Sequence, residues 1–184
     1  MGKGIVDKLK EEFDIEDEWL PLEIHPETPE TGVSLKERFP EASMRQMHIN
    51  LRRMGRLYGI DFNPSERLPN SHKLLAAGEY AKEKGKFHEF HEKAFHAYFT
   101  EGLDIGEEDI IRDTAGEAGL NKEELLNRLR EAAYDNILQQ VQEEAHQYGI
   151  SSTPTFIIDG KYAVVGAQPM EAFREALISI EKEQ

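Results

Sequence analysis

The sequence predicts an α/β fold in which a long helical block separates two strand-containing segments. Apolar residues recur at helical spacing through most of residues 34–148, whereas residues 155–165 form two apolar runs around Asp159-Gly160. An Asp-Gly pair between apolar runs is typical of a type I′ hairpin turn, because both positions tolerate a positive φ. The predicted element order is helix, strand, helical block, hairpin, helix.

The composition predicts a soluble globular protein that does not bind nucleic acid or membranes. The 184 residues carry 36 acidic and 22 basic side chains, for a net charge of −14, and apolar residues make up 39%. Binding to phosphate-rich surfaces needs clustered Lys and Arg. No apolar run is long enough to span a bilayer. The first residues lack the apolar core of a secretory signal peptide, so we expect a cytoplasmic protein.

The absence of cysteine excludes several kinds of site within these residues. The sequence contains none, so it can form no disulfide, no thiolate metal site and no cysteine nucleophile.

The amino-terminal segment predicts a helix followed by a strand. Residues 3–13 have apolar side chains at helical spacing, and residues 19–24 are mostly apolar, as in a strand covered on both faces. The helix is marked by Ile5, Val6, Leu9 and Phe13, and the strand by Trp19, Leu20, Leu22 and Ile24.

The helical block ends in its clearest helix, predicted over residues 121–148. Asn121 is a cap with Glu124 as its capping-box partner, and Gly149 ends the helix. Its apolar face comprises Leu125, Leu129, Ala133, Ile137, Val141 and Ala145. An earlier stripe is interpreted as core, with methionine as filler; it comprises Met44, Met47, Leu51, Met54 and Tyr58.

The sequence predicts that the histidines of the helical block are structural and do not form a metal site. His88 and Glu92 are four residues apart and share a helix face, which is the arrangement a metal could use. His91 and His96 are five apart and diverge around the helix. We therefore expect partly exposed structural histidines.

After the hairpin, Pro169 is placed to open a final helix. Proline favours the first helical position, and an apolar face follows it. That face consists of Met170, Phe173, Leu177 and Ile180.

The carboxyl-terminal third carries a family resemblance. A capped helix ending at Gly149 is followed by Thr153-Pro154-Thr155-Phe156-Ile157-Ile158, a hairpin and Gly166-Ala167-Gln168-Pro169. This order resembles the closing half of DsbA-like proteins, most of all FrnE-like oxidoreductases. Further similar pieces are Leu22-Glu23-Ile24-His25-Pro26, Asn70-Ser71-His72, and Ala97-Tyr98-Phe99 followed by Gly102-Leu103-Asp104-Ile105.

The resemblance implies a thioredoxin fold with an inserted all-helical subdomain. The thioredoxin-like core would comprise residues 1–33 and 149–184, and the helical insertion residues 34–148. Local sequence alone favours a trans Thr153–Pro154 bond. The resemblance instead implies a cis-proline that meets substrate backbone, which makes Ser152, Thr153, Pro154 and Thr155 the predicted substrate-binding residues.

The sequence departs from the family at its beginning. Family members open with a strand and a Cys-x-x-Cys motif at the start of the first helix, whose amino terminus lowers the thiol pKa. This sequence starts inside that helix, so we expect the first strand to be missing, with residue 1 near Pro154. The strands at residues 20–24 and 155–158 would then stand roughly 10 Å apart.

The function implied is thiol-disulfide exchange, inactive in this cysteine-free chain. We predict no catalytic residue, no metal and no cofactor. The implied substrates are proteins or small thiols and disulfides, and a homodimer is left open. One alternative is a glutathione-dependent isomerase or kappa-class transferase, although Gly166-Ala167-Gln168-Pro169 stands where those have a Gly-x-Asp-Arg pattern. The other is a non-catalytic binding or chaperone-like module.

Overall fold

A computed structural model of the protein describes residues 1–63 and 65–182. The helices are α1 (Gly2–Lys10), α2 (Leu35–Arg38), α3 (Glu41–Arg56), α4 (His72–Glu83), α5 (Phe87–Phe95), α6 (Glu108–Glu117), α7 (Lys122–Arg130), α8 (Asp135–Gln147) and α9 (Met170–Glu181), and a π-helical turn, His96–Thr100, follows α5. The strands are β1 (Val33–Ser34), β2 (Arg67–Leu68), β3 (Thr155–Ile158) and β4 (Tyr162–Val165). None of these helices is long and apolar enough to cross a membrane.

The chain divides into two compact units. The terminal unit comprises Met1–Leu20 and the chain from Ala145 onward, and the helical unit comprises Pro21–Glu144. These boundaries lie 13 and four residues before the predicted ones at 33/34 and 148/149.

The helical unit is organised around a core built from α4 to α8. Small residues on α4, including Ala77, let the neighbouring helices approach closely, and larger side chains such as Phe90 and Ile111 fill the centre. The cluster consists of Ala76, Ala77, Tyr80, Ala81, Phe90, Ala94, Ile111, Ala115, Ala118, Leu120, Leu125, Tyr134 and Leu138. β1 and β2 pair antiparallel at the edge of this unit, Val33 with Leu68 and Ser34 with Arg67.

The prediction of a single helix over residues 121–148 is wrong, because the structure has two helices there, α7 and α8. The cap is as predicted: the Asn121 side chain accepts a hydrogen bond from the Glu124 backbone N–H at 3.1 Å. The break comes at Ala132, whose φ of +51° cannot continue a right-handed helix. It brings the buried Tyr134 hydroxyl to within 2.7 Å of the Glu83 carboxylate, to which it donates.

The apolar stripe on α3 is only partly core, which corrects the interpretation of its methionines as filler. Met44 is 5% exposed, but Met47 is 39% exposed. Gly55 packs against Phe62 so closely that an added Cβ would lie 2.4 Å from its ring. This contact and Met44 fix one face of α3, and the opposite face meets solvent.

The terminal unit consists of α1, the β3–β4 hairpin and α9. Ile5 and Leu9 of α1 are buried, as are Phe173 and Leu177 of α9. The structure begins α1 at Gly2 and ends it at Lys10, three residues short of the predicted end. The Pro169 prediction holds, since α9 begins directly after it.

The hairpin has the predicted turn. Its two central residues, Asp159 and Gly160, have φ values of +51° and +64°, as a type I′ turn requires. The strands pair antiparallel with Thr155 opposite Val165 and Ile158 opposite Tyr162.

The strand predicted over residues 19–24 does not form. The structure assigns no strand to this segment, and Leu20 is exposed. Pro21 has no N–H to donate to a ladder, and a strand needs a neighbour to pair with. Within residues 1–63 and 65–182, β3 pairs only with β4, so the predicted pair of strands held about 10 Å apart has no counterpart.

Candidate functional site

The four predicted substrate-binding residues form the short loop that leads into β3. Thr153 is exposed, and Ser152, Pro154 and Thr155 are half-buried. The Thr153–Pro154 peptide bond is cis, as the resemblance implies. The structure therefore brings the four residues together at the beginning of β3, within the terminal unit.

The start of α1 lies directly against this loop, as predicted for the first residues. An added Cβ on Gly2 would lie 3.1 Å from Pro154 Cβ, 3.3 Å from Pro154 Cγ and 3.7 Å from Phe156 Cζ. A contact of 3.1 Å is tighter than ordinary carbon–carbon packing. Only glycine lets the helix start approach the proline ring this closely without a shift.

Backbone and side-chain hydrogen bonds fix the loop. The Thr155 hydroxyl donates to the Ser152 carbonyl at 2.8 Å, which closes the turn on itself. The Gly166 N–H donates to the Pro154 carbonyl at 2.8 Å and extends the hairpin ladder beyond β4. The Gln168 side-chain amide donates to the Val165 carbonyl at 2.9 Å and holds the end of β4.

The loop and β3 present unpaired backbone groups along one edge. Bonded and non-bonded pairs alternate in an antiparallel ladder. Because Pro154 is bonded to Gly166, Phe156 and Ile158 bond to β4, and the N–H and C=O groups of Thr155 and Ile157 point to the other edge. The Thr153 backbone also makes no hydrogen bond within the described part of the chain.

The two faces of the hairpin differ in what covers them. Phe156 packs edge-on against Phe173 of α9, with ring centroids 4.8 Å apart. Side chains on the opposite face meet solvent: Ile157 and Val165 are each 55% exposed. An apolar surface thus flanks the open edge of β3.

A bidentate ion pair ties α9 to the segment that follows α1. Arg174 Nε and one terminal nitrogen each lie 2.7 Å from an oxygen of Glu12. The bond to Arg174 holds the pKa of the Glu12 carboxyl below its usual range. Such two-point pairing fixes orientation as well as distance, so the two helices that carry the apolar core of this unit are held in register.

The histidines singled out in the sequence take part in an aromatic row. The His91 ring lies 5.2 Å from that of Phe87 and 4.0 Å from that of Phe95. His96 Nδ1 lies 3.6 Å from a Glu101 oxygen. The described residues contain no group of three or more His, Asp or Glu side chains that could hold a metal ion.

Sequence reasoning missed a histidine with two carboxylate partners. His72, at the start of α4, has Nδ1 3.0 Å from Glu23 Oε2 and Nε2 3.2 Å from Asp135 Oδ1. A neutral imidazole has one donor nitrogen and one acceptor, so two carboxylates are satisfied only by the imidazolium. Burial lowers the pKa of His72, but the two carboxylates raise it more, and the net shift is upward. Its partners lie 49 and 63 residues away in the sequence, which leaves no local signal.

A polar cleft of about 360 Å³ lies beside this histidine in the helical unit. Its lining includes Glu30, Thr31, Asn70, His72, Lys73 and Gly106. Within this lining Lys73 pairs with Glu30 at 2.9 Å, so these two charges compensate each other. The cleft contains none of the four predicted substrate-binding residues.

Comparisons with known proteins identify the family and the fold. The profile of the DSBA-like thioredoxin domain family matches residues 1–178. The uncharacterized protein YwbO of Bacillus subtilis (strain 168) is 28% identical over 187 residues, which cover all of this chain and 92% of YwbO. The crystal structure of the probable DsbA oxidoreductase SCO1869 from Streptomyces coelicolor superposes with a TM-score of 0.86 at 23% identity, over all of this chain and 84% of that one. The chain therefore belongs to the DSBA-like thioredoxin domain family.

Proposed function

We propose that this chain binds extended polypeptides at the Ser152–Thr155 loop and the open edge of β3. In this proposal it is the substrate-binding part of a FrnE-like thiol-disulfide oxidoreductase and performs no thiol exchange by itself. The single observation that carries the proposal is the set of unpaired backbone groups of Thr155 and Ile157 on the open edge of β3. The Thr153 backbone, which precedes them, also makes no hydrogen bond within the described residues.

The backbone edge supports recognition of an extended chain. An unpaired strand edge is a template for a further strand, and peptide-binding domains use it by strand addition. Main-chain hydrogen bonds are largely independent of sequence, which suits an enzyme class that acts on many unfolded proteins. Gly2 and Pro154 close one end of the edge, and the hairpin turn at Asp159 closes the other.

The apolar flank supports the same ligand class. Ile157 and Val165 would contact alternate side chains of an added strand, because side chains alternate between the faces of a sheet. This feature also favours a second candidate function, a chaperone-like module that holds unfolded polypeptides with no redox role. Both candidates need the same binding surface and differ in the thiol chemistry.

Thiol chemistry separates the two candidates. Exchange begins with attack by a thiolate, and the 184 residues contain no cysteine. The oxidoreductase proposal therefore needs a cysteine that reaches the start of α1 from outside these residues. The chaperone-like proposal needs none.

The binding proposal is tested with a permanently unfolded, carboxymethylated polypeptide such as carboxymethylated α-lactalbumin. We expect the intact chain to bind it and Ile157→Glu to weaken binding at least about tenfold, since a charge would be buried against an apolar side chain. The matched control is Ile178→Glu on α9, also an exposed isoleucine, which should bind like the unaltered chain. Equal weakening by both variants, or no binding by the intact chain, would contradict the proposal.

The glutathione-dependent alternative is tested by titration. A calorimetric or fluorescence titration with reduced glutathione should show no saturable binding to the intact chain. Saturable binding that Ile157→Glu leaves unchanged would favour the isomerase or kappa-class transferase interpretation.

A further inference from the structure

The solvent-facing side of α3 carries apolar and basic residues together. Ile49 is 58% exposed, and Met47 and Phe39, which precedes the helix, are also exposed. Ile49 lies three or four residues from Arg45, Arg52 and Arg53, so these side chains surround it on the helix surface. Ile49 and these arginines together give this side of α3 both apolar and positively charged character.

The charge of α3 is opposite to that of the rest of the protein. The helix has four arginines and one glutamate, a net charge of +3, in a chain whose net charge is −14. The remaining residues therefore carry −17. Arg53 and Arg56 are exposed and form no ion pair with any described residue. The α3 face defined by Arg45, Ile49, Arg53 and Arg56 is thus suited to an acidic, partly apolar surface.

The same chain carries such a surface on α8. Between Asp135 and Gln147 this helix has three acidic residues and no Lys or Arg. Ile137 is exposed, as are Glu143 and Glu144. Glu144 follows Ile137 by seven residues, two helical turns on the same face. Arg56 follows Ile49 by the same interval. Each exposed isoleucine therefore has a charged residue two turns after it, which is positive on α3 and negative on α8.

We propose that α3 of one copy docks on α8 of a second copy. The α8 face is defined by Ile137 and Glu144, which lie on the same side of the helix, with Glu143 beside Glu144 at its edge. A twofold axis would form the contact twice, each α3 on the partner's α8, which closes the assembly as a dimer. In this contact the two isoleucines are buried against each other. The arginines of α3 lie next to the glutamates of α8, which have the opposite charge. The residues of both faces belong to the helical unit, and none of them is a residue of the proposed polypeptide-binding edge.

Salt dependence is the first measurement. Sedimentation equilibrium of the full chain at about 0.02 M salt should show a dimer, and at about 0.5 M salt the dissociation constant should rise at least about tenfold, because screening weakens exposed charge pairs. A monomer at low salt up to about 100 µM protein, a concentration at which specific dimers associate, would overturn the proposal. A dimer whose dissociation constant does not change with salt would also overturn it.

Charge reversal identifies the two faces. Arg53→Glu/Arg56→Glu and, separately, Glu143→Lys/Glu144→Lys should each be monomeric. Their equimolar mixture should restore a dimer, because both contacts in the mixed pair again join opposite charges. The matched control is Lys122→Glu/Arg130→Glu on α7, which changes the net charge by the same amount as the α3 variant and should stay dimeric.

The other possible results of the charge-reversal experiment would contradict the proposed α3–α8 contact. Circular dichroism confirms that every variant is folded before sedimentation. A dimer that persists in either reversed variant contradicts the α3–α8 contact, as does a mixture that stays monomeric. A control that dissociates like the α3 variant shows a general effect of net charge and overturns the assignment to α3.

Discussion

Gly2 and Pro154 approach each other so closely that an added Cβ on Gly2 would lie 3.1 Å from Pro154 Cβ. This contact joins the start of α1 to the loop that precedes β3. It places the first turn of a helix beside the proline, and the backbone groups of Thr155 follow on the open edge. The candidate site is thus built from residues that are far apart in the sequence.

Replacing Gly2 with valine should disturb this contact. The branched side chain would meet the proline ring, and overpacking of this kind typically costs about 1–3 kcal/mol. Urea unfolding should show the loss of stability, and binding of carboxymethylated polypeptide should weaken. Asp7→Val is the control: it puts the same side chain at an exposed position of α1 and should cost less than about 1 kcal/mol. Equal stability of the two variants would argue against close packing at Gly2.

The isolated chain should not catalyse thiol-disulfide exchange. No thiolate can form in it, and exchange requires one. An insulin-reduction assay should give the uncatalysed rate. A chimera in which a strand and a Cys-x-x-Cys segment precede Gly2 should gain activity, because the motif would then stand at the start of α1 beside Pro154. A Ser-x-x-Ser chimera is the matched control, and activity of the unaltered chain would refute this account.

Local chemistry made the carboxyl-terminal elements predictable. Asp159-Gly160 predicts a turn whose two φ values are positive, and Pro169 predicts the start of α9; both are confirmed. Asn121 predicts a cap, and its side chain accepts from the N–H of Glu124. Each of these depends on residues adjacent in the sequence, so no tertiary information was needed.

Features that depend on distant partners were not predictable. The apolar run at residues 19–24 predicts a strand, but a strand exists only where a neighbour completes its ladder. Ala132 breaks the helix predicted over residues 121–148 although nothing in its own chemistry demands a positive φ. His72 meets Glu23 and Asp135 only in the folded chain. The Tyr134–Glu83 bond beside the break and the two His72 pairs join segments that are far apart in the sequence, so no local pattern signals them.

His72 should make stability depend on pH. Its folded pKa is raised above the unfolded value near 6.5, so its contribution is fully present below about pH 6.5 and is lost as pH rises through the folded pKa. The His72–Glu23 and His72–Asp135 pairs are both partly exposed, so together they should contribute about 1 kcal/mol or less to the free energy of unfolding. We expect His72→Gln to lower the free energy of unfolding at pH 6 and to have a smaller effect at pH 9.

The matched control for His72 is His96→Gln. His96 has one longer contact, to Glu101 at 3.6 Å, and its replacement should lower the free energy of unfolding at pH 6 less than His72→Gln does. A His72→Gln effect that is equal at pH 6 and pH 9 would show that the imidazolium bonds do not contribute.

The packing of Phe173 against Phe156 should stabilise the hairpin that carries the candidate site. Phe173 is fully buried, and Phe156 follows Thr155 in β3. Phe173→Ala should cost about 3–5 kcal/mol, because it leaves a cavity beneath the hairpin. Phe39→Ala, at a half-exposed position, should change stability by less than about 1 kcal/mol. Urea unfolding monitored by circular dichroism compares the two variants.

The most direct test of the polypeptide-binding account is a nuclear magnetic resonance titration of the ¹⁵N-labelled chain with carboxymethylated polypeptide. The account predicts that the largest amide shifts fall at Thr155 and Ile157, whose backbone groups lie on the open edge, and at the neighbouring Thr153. It also predicts smaller shifts at the start of α1. Saturating shifts confined to other surfaces, with these three amides unchanged, would contradict it.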